Sequence, residues 1–267
     1  MVIAPAQNGP RPLVSVITVC FNAQQALPGT IASLQAQSLR EREWVVVDGG
    51  SRDGTLALVQ QAATPPAAFV SERDAGIYDA MNKAVGLARG EWLYFLNAGD
   101  RLCDPQVLAD VMHYGKQHPT LQFLIGSVVV ERGELRTLKT ARWINHRTLA
   151  FTDPCHQAVF ARRQLFDEVG LFDLAYPTSA DYDWFLRVAR AGHRLQHIDR
   201  SVAFFPAGGA HAANAAALAN ERYRIRRRYV GGCTLTAGTL AVRIANRLSK
   251  VFRGGLPLGH KPWSPTT

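Results

Sequence analysis

Four short apolar runs in the first hundred residues each end in polar residues. Leu13–Val19 leads into Cys20-Phe21-Asn22, and Trp44–Val47 into Asp48-Gly49-Gly50-Ser51. Phe69-Val70 leads into Ser71-Glu72-Arg73-Asp74, and Trp92–Leu96 into Asn97-Ala98-Gly99-Asp100. Their length and their β-branched and aromatic content predict buried strands. Helix-length stretches separate them, so the pattern predicts an α/β fold, β-α-β-α around a mostly parallel sheet. Ligands of such sheets bind beyond the carboxyl ends of the strands. That edge carries Asn22, Asp48, Asp74 and Asp100.

The intervening segments predict helices over Ala23–Gln37, with Pro28 near its beginning, and over Asp53–Ala63, capped by Ser51 or Asp53 and stopped by Pro65-Pro66. Ile77–Ala88 sets Ile77, Met81, Val85 and Ala88 on one face, and Asp104–His118 has Asp104 as its cap. Leu121–Val130 and Leu135–Leu138 read as strands paired about a Gly133-Glu134 turn. A helix over Asp181–Ala191 ends at Gly192, and Arg194–Phe205 returns to strand. The expected organisation is a flexible segment 1–12, one domain over 13–205, and a basic helical C-terminal extension over 206–267. Within the domain, residues to about 103 form a nucleotide-binding half and the rest an acceptor half.

With 47% hydrophobic and 19% charged residues, the composition is that of an ordinary globular protein. The net charge of +9 changes the picture only through its placement. No acidic residue follows Glu221, whereas 10 of the 30 basic ones do. Residues 1–221 hold 20 basic against 21 acidic side chains, which argues against a nucleic-acid-binding core and for a surface-seeking C-terminus. There Leu240, Ile244, Leu248 and Val251 repeat at helical spacing beside Arg243, Arg247 and Lys250. Such a helix suits an anionic membrane surface, with Arg222–Arg228 adding attraction, or equally a helix packed on the domain. Cys20, Cys103, Cys155 and Cys233 form no Cys-x-x-Cys pair, so a reducing compartment is expected. Met1–Pro12 lacks the pattern of a secretory signal, and Ser201–Asn220 carries too much Pro, Gly and Asn to span a bilayer. A cytoplasmic protein, peripheral on the membrane face at most, is expected.

Six stretches together carry a resemblance: Val14–Asn22, Val47–Thr55, Asp74–Lys83, Asn97–Asp100, His156-Gln157 and Asp181-Tyr182-Asp183. In this order they resemble the family-2 nucleotide-sugar glycosyltransferases of GT-A fold, and most of all the bacterial branch that builds exopolysaccharides such as colanic acid. The resemblance covers residues 13–205. It implies an inverting transfer of a sugar from a UDP-, GDP- or dTDP-linked donor to a saccharide acceptor, polyprenyl-diphosphate-linked, in surface polysaccharide assembly.

By that resemblance Thr18, Cys20 and Asn22 line the base pocket, and Asp48 accepts hydrogen bonds from the base or ribose. Asp74 meets the nucleotide, and Asn82 and Lys83 lie near the donor, where a Lys would neutralise the leaving diphosphate. Asp48 also reads as part of a plain Asp-Gly turn, Asp74 as a helix cap, and Lys83 as a solvated charge. The family's Asp-x-Asp metal element is altered: Asn97 stands where an Asp is expected, leaving Asp100 as the carboxylate for Mg²⁺ or Mn²⁺. Asp181 is the candidate base that deprotonates the acceptor hydroxyl, and it also reads as the N-cap of its helix. His156 and Gln157 are expected to position the acceptor, Asp183 to be structural, and Trp143, Tyr182 and Trp184 to stack on sugar rings or fill the core. A sugar nucleotidyltransferase would need a Gly-rich basic loop after the first strand, where Cys20-Phe21-Asn22-Ala23 stands. The other alternative is a degenerate member that binds sugar or membrane without turnover.

Overall fold

A computed structural model describes residues 2–3, 10–142, 144–145, 148–152, 154–208 and 215–229. Strands β1 (Val2–Ile3), β2 (Val14–Cys20), β3 (Arg42–Asp48), β4 (Ala68–Ser71) and β5 (Trp92–Phe95) form the first half of the sheet. Their order is β1-β4-β3-β2-β5, with β4, β3, β2 and β5 mutually parallel and β1 antiparallel at the edge. Every residue of β2 is buried, since it lies at the centre of the sheet with helices such as Ile77–Leu87 packed over its faces, which is why its sequence is nearly continuous in apolar residues. The chain winds outward from β2 to β4 and then returns to place β5 on the opposite side of β2. That reversal opens a crevice at the carboxyl ends.

Beyond β5 the pairing is mixed. β6 (Arg101–Leu102), β7 (Phe123–Arg132), β8 (Leu135–Lys139), β9 (Val159–Arg162) and β10 (Leu195–Pro206) complete a ten-stranded sheet among the described residues. β9 lies antiparallel between β5 and β7, β10 parallel to β7, and β6 antiparallel to β10. β8 pairs antiparallel with β7 through the predicted turn, where Gly133 has φ 59°.

The helices are α1 (Leu27–Gln35), α2 (Thr55–Gln60), α3 (Ile77–Leu87), α4 (Val107–Gln117), α5 (Gln164–Val169), α6 (Ala180–Arg190) and α7 (Ala215–Tyr229). Three expectations shift. Asp53 stands one residue and Asp104 two residues before the cap position of its helix. Asp53 Oδ1 accepts from Thr55 N (3.0 Å) and Asp104 Oδ1 from Gln106 N (2.9 Å), while Gly54 and Gln106 stand at the caps. Short acidic side chains bond their own backbone two residues on. α1 starts at Leu27 because the preceding residues are held by the next loop, through Ala23 N to Thr55 Oγ1 (2.8 Å) and Gln24 N to Asp53 Oδ2 (3.0 Å). On α3, Ile77 is 37% exposed and Tyr78 joins Met81, Ala84 and Val85 on the buried face. A residue at the first helical position has no preceding turn to lie against.

Aromatic stacking joins β5, β7 and β9 to α5 and α6 in the core. Trp184 of α6 stacks on Phe166 (centroids 4.2 Å apart) and meets Phe123 edge-on, and Tyr94 stacks on Phe160 (4.3 Å). α7 lies on the same body, with Ile225 fully buried and α6 among its partners. Among the described residues, no helix is long and apolar enough to cross a membrane. Trp143, Cys233 and the predicted helix around Leu240–Val251 lie outside the described residues.

Candidate active site

The loops after β2 and β3 are stitched to each other. Asn22 has φ 46°, the left-handed region, and no other non-glycine residue among those described shares it. Its Oδ1 accepts from Arg52 N (3.0 Å) and its own N–H donates to Ser51 Oγ (2.7 Å). Asp48 is wholly buried. Its Oδ2 accepts from Gly50 N (3.1 Å), Ser51 N (2.9 Å) and Ser71 Oγ (2.7 Å), and its Oδ1 from the Ser51 hydroxyl and the Cys20 thiol (3.7 Å). A carboxylate offers about four lone-pair sites, so Asp48 is saturated by the turn it builds and faces no base here.

Thr18 is likewise sealed, its Oγ1 accepting from Trp44 Nε1 (3.0 Å), and burial beside Asp48 pushes the Cys20 thiol up. Because β2 is central, its inward side chains meet neighbouring strands rather than a pocket. The loop instead exposes Phe21, to 64%, a residue to which the sequence reading assigned no role. A large ring in a polar loop just past a strand end was the available signal. A Cβ on Gly49 would stand 3.3 Å from that ring and 2.7 Å from Asp74 Oδ2, so the close approach of these loops requires glycine. Asp74 Oδ1 accepts from Gly76 N (3.0 Å) and its other oxygen lies over Gly49. At this edge Phe21 is thus exposed and Asp74 half-buried, both lying over the buried Gly49.

Two expected donor contacts are committed elsewhere. Asn82 exchanges both of its amide bonds with the Phe172 backbone, Nδ2 to O and N to Oδ1, each 2.9 Å. It clamps α3 to the loop after α5. Lys83 pairs with Glu72 (2.8 Å) and Asp79 (3.4 Å), and its pKa is raised chiefly by the bond to Glu72. Helical spacing alone places Asp79 beside Lys83, so that charge stays in a local surface network.

The chemistry collects at the end of β5. The Asn97–Asp100 turn is held by Thr30 of α1, whose Oγ1 donates to Asp100 O (2.8 Å) and accepts from Gly99 N (3.0 Å). Asn97 Nδ2 lies 3.1 Å from His156 Nε2, and His156 Nδ1 lies 3.3 Å from Asp181 Oδ2. Asp181 Oδ1 accepts from Tyr78 Oη (2.8 Å) and Tyr182 N (2.8 Å). All five side chains are buried. With the Asn97 amide donating to Nε2, the proton of a neutral His156 resides on Nδ1 and is donated to Asp181. A chain of bonds thus joins the donor edge to the candidate base.

Electrostatics divides the two carboxylates. Burial pushes Asp100 up to about 7, against the opposing pull of His156 and of a hydrogen bond from the Gln157 side chain. Burial also acts to raise Asp181, but the bonds and charges of His156, Tyr78 and Arg222 outweigh it and hold its pKa below the usual carboxylate range. His156 is raised, because Asp181 and Asp100 overcome its burial. Asp181 is thus kept ionised and Asp100 is poised to change its proton. Asp181 sits in the first turn of α6, with Ser179 at the cap position rather than Asp181 itself.

Asn97 Oδ1 is buried with no hydrogen-bond partner among the described residues. Beside it stands the single carboxylate of Asp100, and no group of three or more His, Cys, Asp or Glu side chains converges among the described residues. An orphaned amide oxygen and one carboxylate do not make an all-protein cage. They fit Mg²⁺ or Mn²⁺, which keep waters and take phosphate oxygens as further ligands. Tyr182 and Trp184 are core residues: Tyr182 Oη donates to Ala150 O (2.9 Å) and Trp184 Nε1 to Gly170 O (2.9 Å), so neither is offered to a sugar. Asp183 is structural, paired with Arg187 (2.8 Å) and Tyr229 Oη (2.9 Å). Of the expected site residues, Asn97, Asp100, His156, Gln157 and Asp181 come together, and Thr18, Asn82 and Lys83 stand apart.

Comparisons with known proteins give the family and the fold. The model of glycosyl transferase family 2 matches residues 15–169. A PGL/p-HBAD biosynthesis glycosyltransferase of Mycobacterium tuberculosis is 35% identical over 179 residues, 66% of this chain and 69% of that protein. The TarS fragment 1–349 of S. aureus, solved in complex with UDP-GlcNAc, superposes with a TM-score of 0.63 at 18% identity over 79% of this chain, which spans 64% of that one. The mannosyltransferase PcManGT of Pyrobaculum calidifontis, solved with GDP-Man and Mn²⁺, superposes with a TM-score of 0.65 at 20% identity over 96% of this chain and 79% of that one. At these identities the two structures share the fold.

Proposed function

The chain belongs to glycosyl transferase family 2, and from that footing we propose that it is an inverting hexosyltransferase acting on a nucleotide-diphosphate sugar. The observation that carries the proposal is the bonded chain Asn97–His156–Asp181–Tyr78, which connects the carboxyl edge of the parallel strands to an ionised base on α6. The donor base stacks on exposed Phe21, with Asp74 at the ribose and diphosphate side. Mg²⁺ or Mn²⁺ bound by Asp100 and Asn97 Oδ1 would neutralise the departing diphosphate. Asp181 accepts one hydrogen bond on Oδ2 and two on Oδ1, so Oδ2 retains a lone pair for the acceptor hydroxyl. His156 orients that carboxylate through its Nδ1 proton and helps to keep it ionised. The acceptor oxygen then attacks the anomeric carbon from the face opposite the leaving nucleotide.

Residues 13–205 are proposed as the body of the transferase domain, with nucleotide and acceptor halves meeting near 103, and 206–267 as an extension whose first helix, α7, packs on the acceptor half. The acceptor is proposed to be a lipid-linked saccharide of bacterial surface polysaccharide or glycolipid assembly, met at the cytoplasmic membrane face by the basic residues beyond Tyr229. A mycobacterial relative named for PGL/p-HBAD biosynthesis supports a lipid-linked acceptor.

A thermal-shift panel of UDP-GlcNAc, GDP-mannose and dTDP-glucose with Mn²⁺ tests the donor. The accepted donor at a hundredfold excess over its Kd stabilises the fold by about 2.7 kcal/mol. A panel in which no nucleotide sugar moves the Tm overturns the proposal. The base-stacking assignment has its own check. Base–aromatic stacking contributes roughly 1–3 kcal/mol, so Phe21→Ala is expected to weaken the affinity for the nucleotide about tenfold by calorimetric titration. An unchanged Kd removes Phe21 from the site.

A further inference from the structure

Helix α7 lies in the segment that the sequence assigned to a separate extension, yet it grips α6 on both sides of Asp181. Glu221, itself buried, accepts from Thr178 N (3.0 Å) and Thr178 Oγ1 (2.8 Å) through the same Oε2. Arg226 Nε donates to Tyr182 Oη (3.1 Å), and Tyr229 Oη donates to Asp183 Oδ1 (2.9 Å). The guanidinium groups of Arg222 and Arg226 lie 5.8 Å and 5.3 Å from the centre of the Tyr182 ring. Residues 178, 182 and 183 are thus each bonded to α7, and Asp181 stands between them.

The amino end of α6 needs such support. Ser179 occupies the cap position with φ −143°, but its hydroxyl makes no capping bond and is buried without a partner among the described residues. A helix start ordinarily has its exposed N–H groups and partial positive charge answered by a cap. Asp181 and Asp183 lie within the first turn of α6, and the carboxylate that holds the turn leading into it comes from another helix. We propose that Glu221 is a positioning residue for Asp181, and that α7 is a working part of the acceptor half rather than an appendage. Glu221 fixes the Thr178–Ser179 turn, the turn fixes the direction of the first residues of α6, and these aim the Asp181 carboxylate at His156 and Tyr78. The inference rests on the reading of Asp181 as the base.

Two measurements on the full chain test it. In hydrogen exchange, Glu221→Ala is expected to speed exchange at least tenfold in peptides covering 176–184, while peptides from β2 to β5 keep their rates. Glu221→Gln, whose amide oxygen can still accept both bonds, restores slow exchange. In release of nucleoside diphosphate from UDP-GlcNAc or GDP-mannose with Mn²⁺, Glu221→Ala lowers kcat by about 10- to 100-fold, the range of a small misplacement of a reacting group. Donor KM stays within twofold, and Glu221→Gln recovers most of the loss. A merely structural role would lower folded protein and donor binding together, without that split. If Glu221→Ala does not fold, Thr178→Val, which removes only the hydroxyl bond, carries the test through the same two readouts.

Unchanged exchange in 176–184, or wild-type kcat in Glu221→Ala, overturns the proposal. Asp181→Asn, run alongside, keeps the two readings apart. Full turnover in Asp181→Asn defeats the base assignment, whereas loss in Asp181→Asn with none in Glu221→Ala defeats only the role of α7. Where neither donor turns over, the exchange measurement decides by itself.

Discussion

Asp181→Asn is expected to lower turnover by about 10²- to 10⁴-fold, the usual contribution of a positioned base, while donor affinity is retained. The substitution keeps the shape, so Tyr78 Oη and Tyr182 N still find an acceptor on the remaining oxygen. What changes is the contact with His156. An amide nitrogen now faces Nδ1, which must lose its proton to accept, and the proton moves to Nε2. There it meets Asn97 Nδ2, another donor, at 3.1 Å. The Asn97 amide relieves the clash only by turning its oxygen, at present unpaired, toward the ring. One substitution therefore removes the base and reverses the bonds along the chain to the donor edge. Rates of nucleoside diphosphate release, with calorimetric titration of the donor, measure both effects. Turnover within threefold of wild type would exclude Asp181 as the base.

The second large effect concerns Asp100, where function and stability oppose each other. The carboxyl is nearly inaccessible, and burial pushes it up to about 7 from an ordinary value of 3.8. Between those values the folded protein holds a proton that the unfolded chain has released, so stability falls as pH rises from about 4 to about 7 and levels off above. At 1.36 kcal/mol per unit, a shift of this size corresponds to at most about 4 kcal/mol at pH 8. Asp100→Asn has nearly the same shape and no charge to bury. It is expected to stabilise the protein by about 1–3 kcal/mol at pH 8, a Tm increase of about 2–8 °C for a chain of this length, with little change at pH 4.

The same variant should lose its response to Mn²⁺. On the proposed assignment a divalent cation would displace the proton and remove the burial cost, so Mn²⁺ is expected to raise the Tm at pH 8 and to do so less at pH 5.5, where the proton competes. Melting curves with and without Mn²⁺ at both pH values check the sign. A lower Tm for Asp100→Asn at pH 8 would mean that the buried charge is compensated, and the assignment of a cation there would lose its support.

Much of this site was legible in the chain before any coordinates. The strand ends at Asn22, Asp48 and Asp100 follow from apolar runs interrupted by polar residues, because strand periodicity and turn chemistry are local properties. What was not legible is which of those polar side chains remain available. Asp48 ends its strand and Phe21 lies just past one. The first vanishes into five hydrogen bonds and the second stands 64% exposed. Thr18 and Asn82 are pocket residues by the family resemblance, yet Trp44 and the Phe172 backbone claim them. Such competition depends on neighbours brought in from elsewhere, and a strand buried on both edges offers little room to anything else.

The amino-acid order by itself determined the alternation of strand and helix, the parallel half of the sheet, and therefore the edge at which a ligand must bind. Only the tertiary structure decided that Tyr78 meets Asp181 across 103 positions and His156 across 25, and that Glu221 reaches back 43 to Thr178. Periodicity arises from the backbone's own geometry, so it can be read along the chain. Contacts between distant segments exist only after helices and sheet have docked and excluded water, and no local pattern encodes which buried partners will then share a proton.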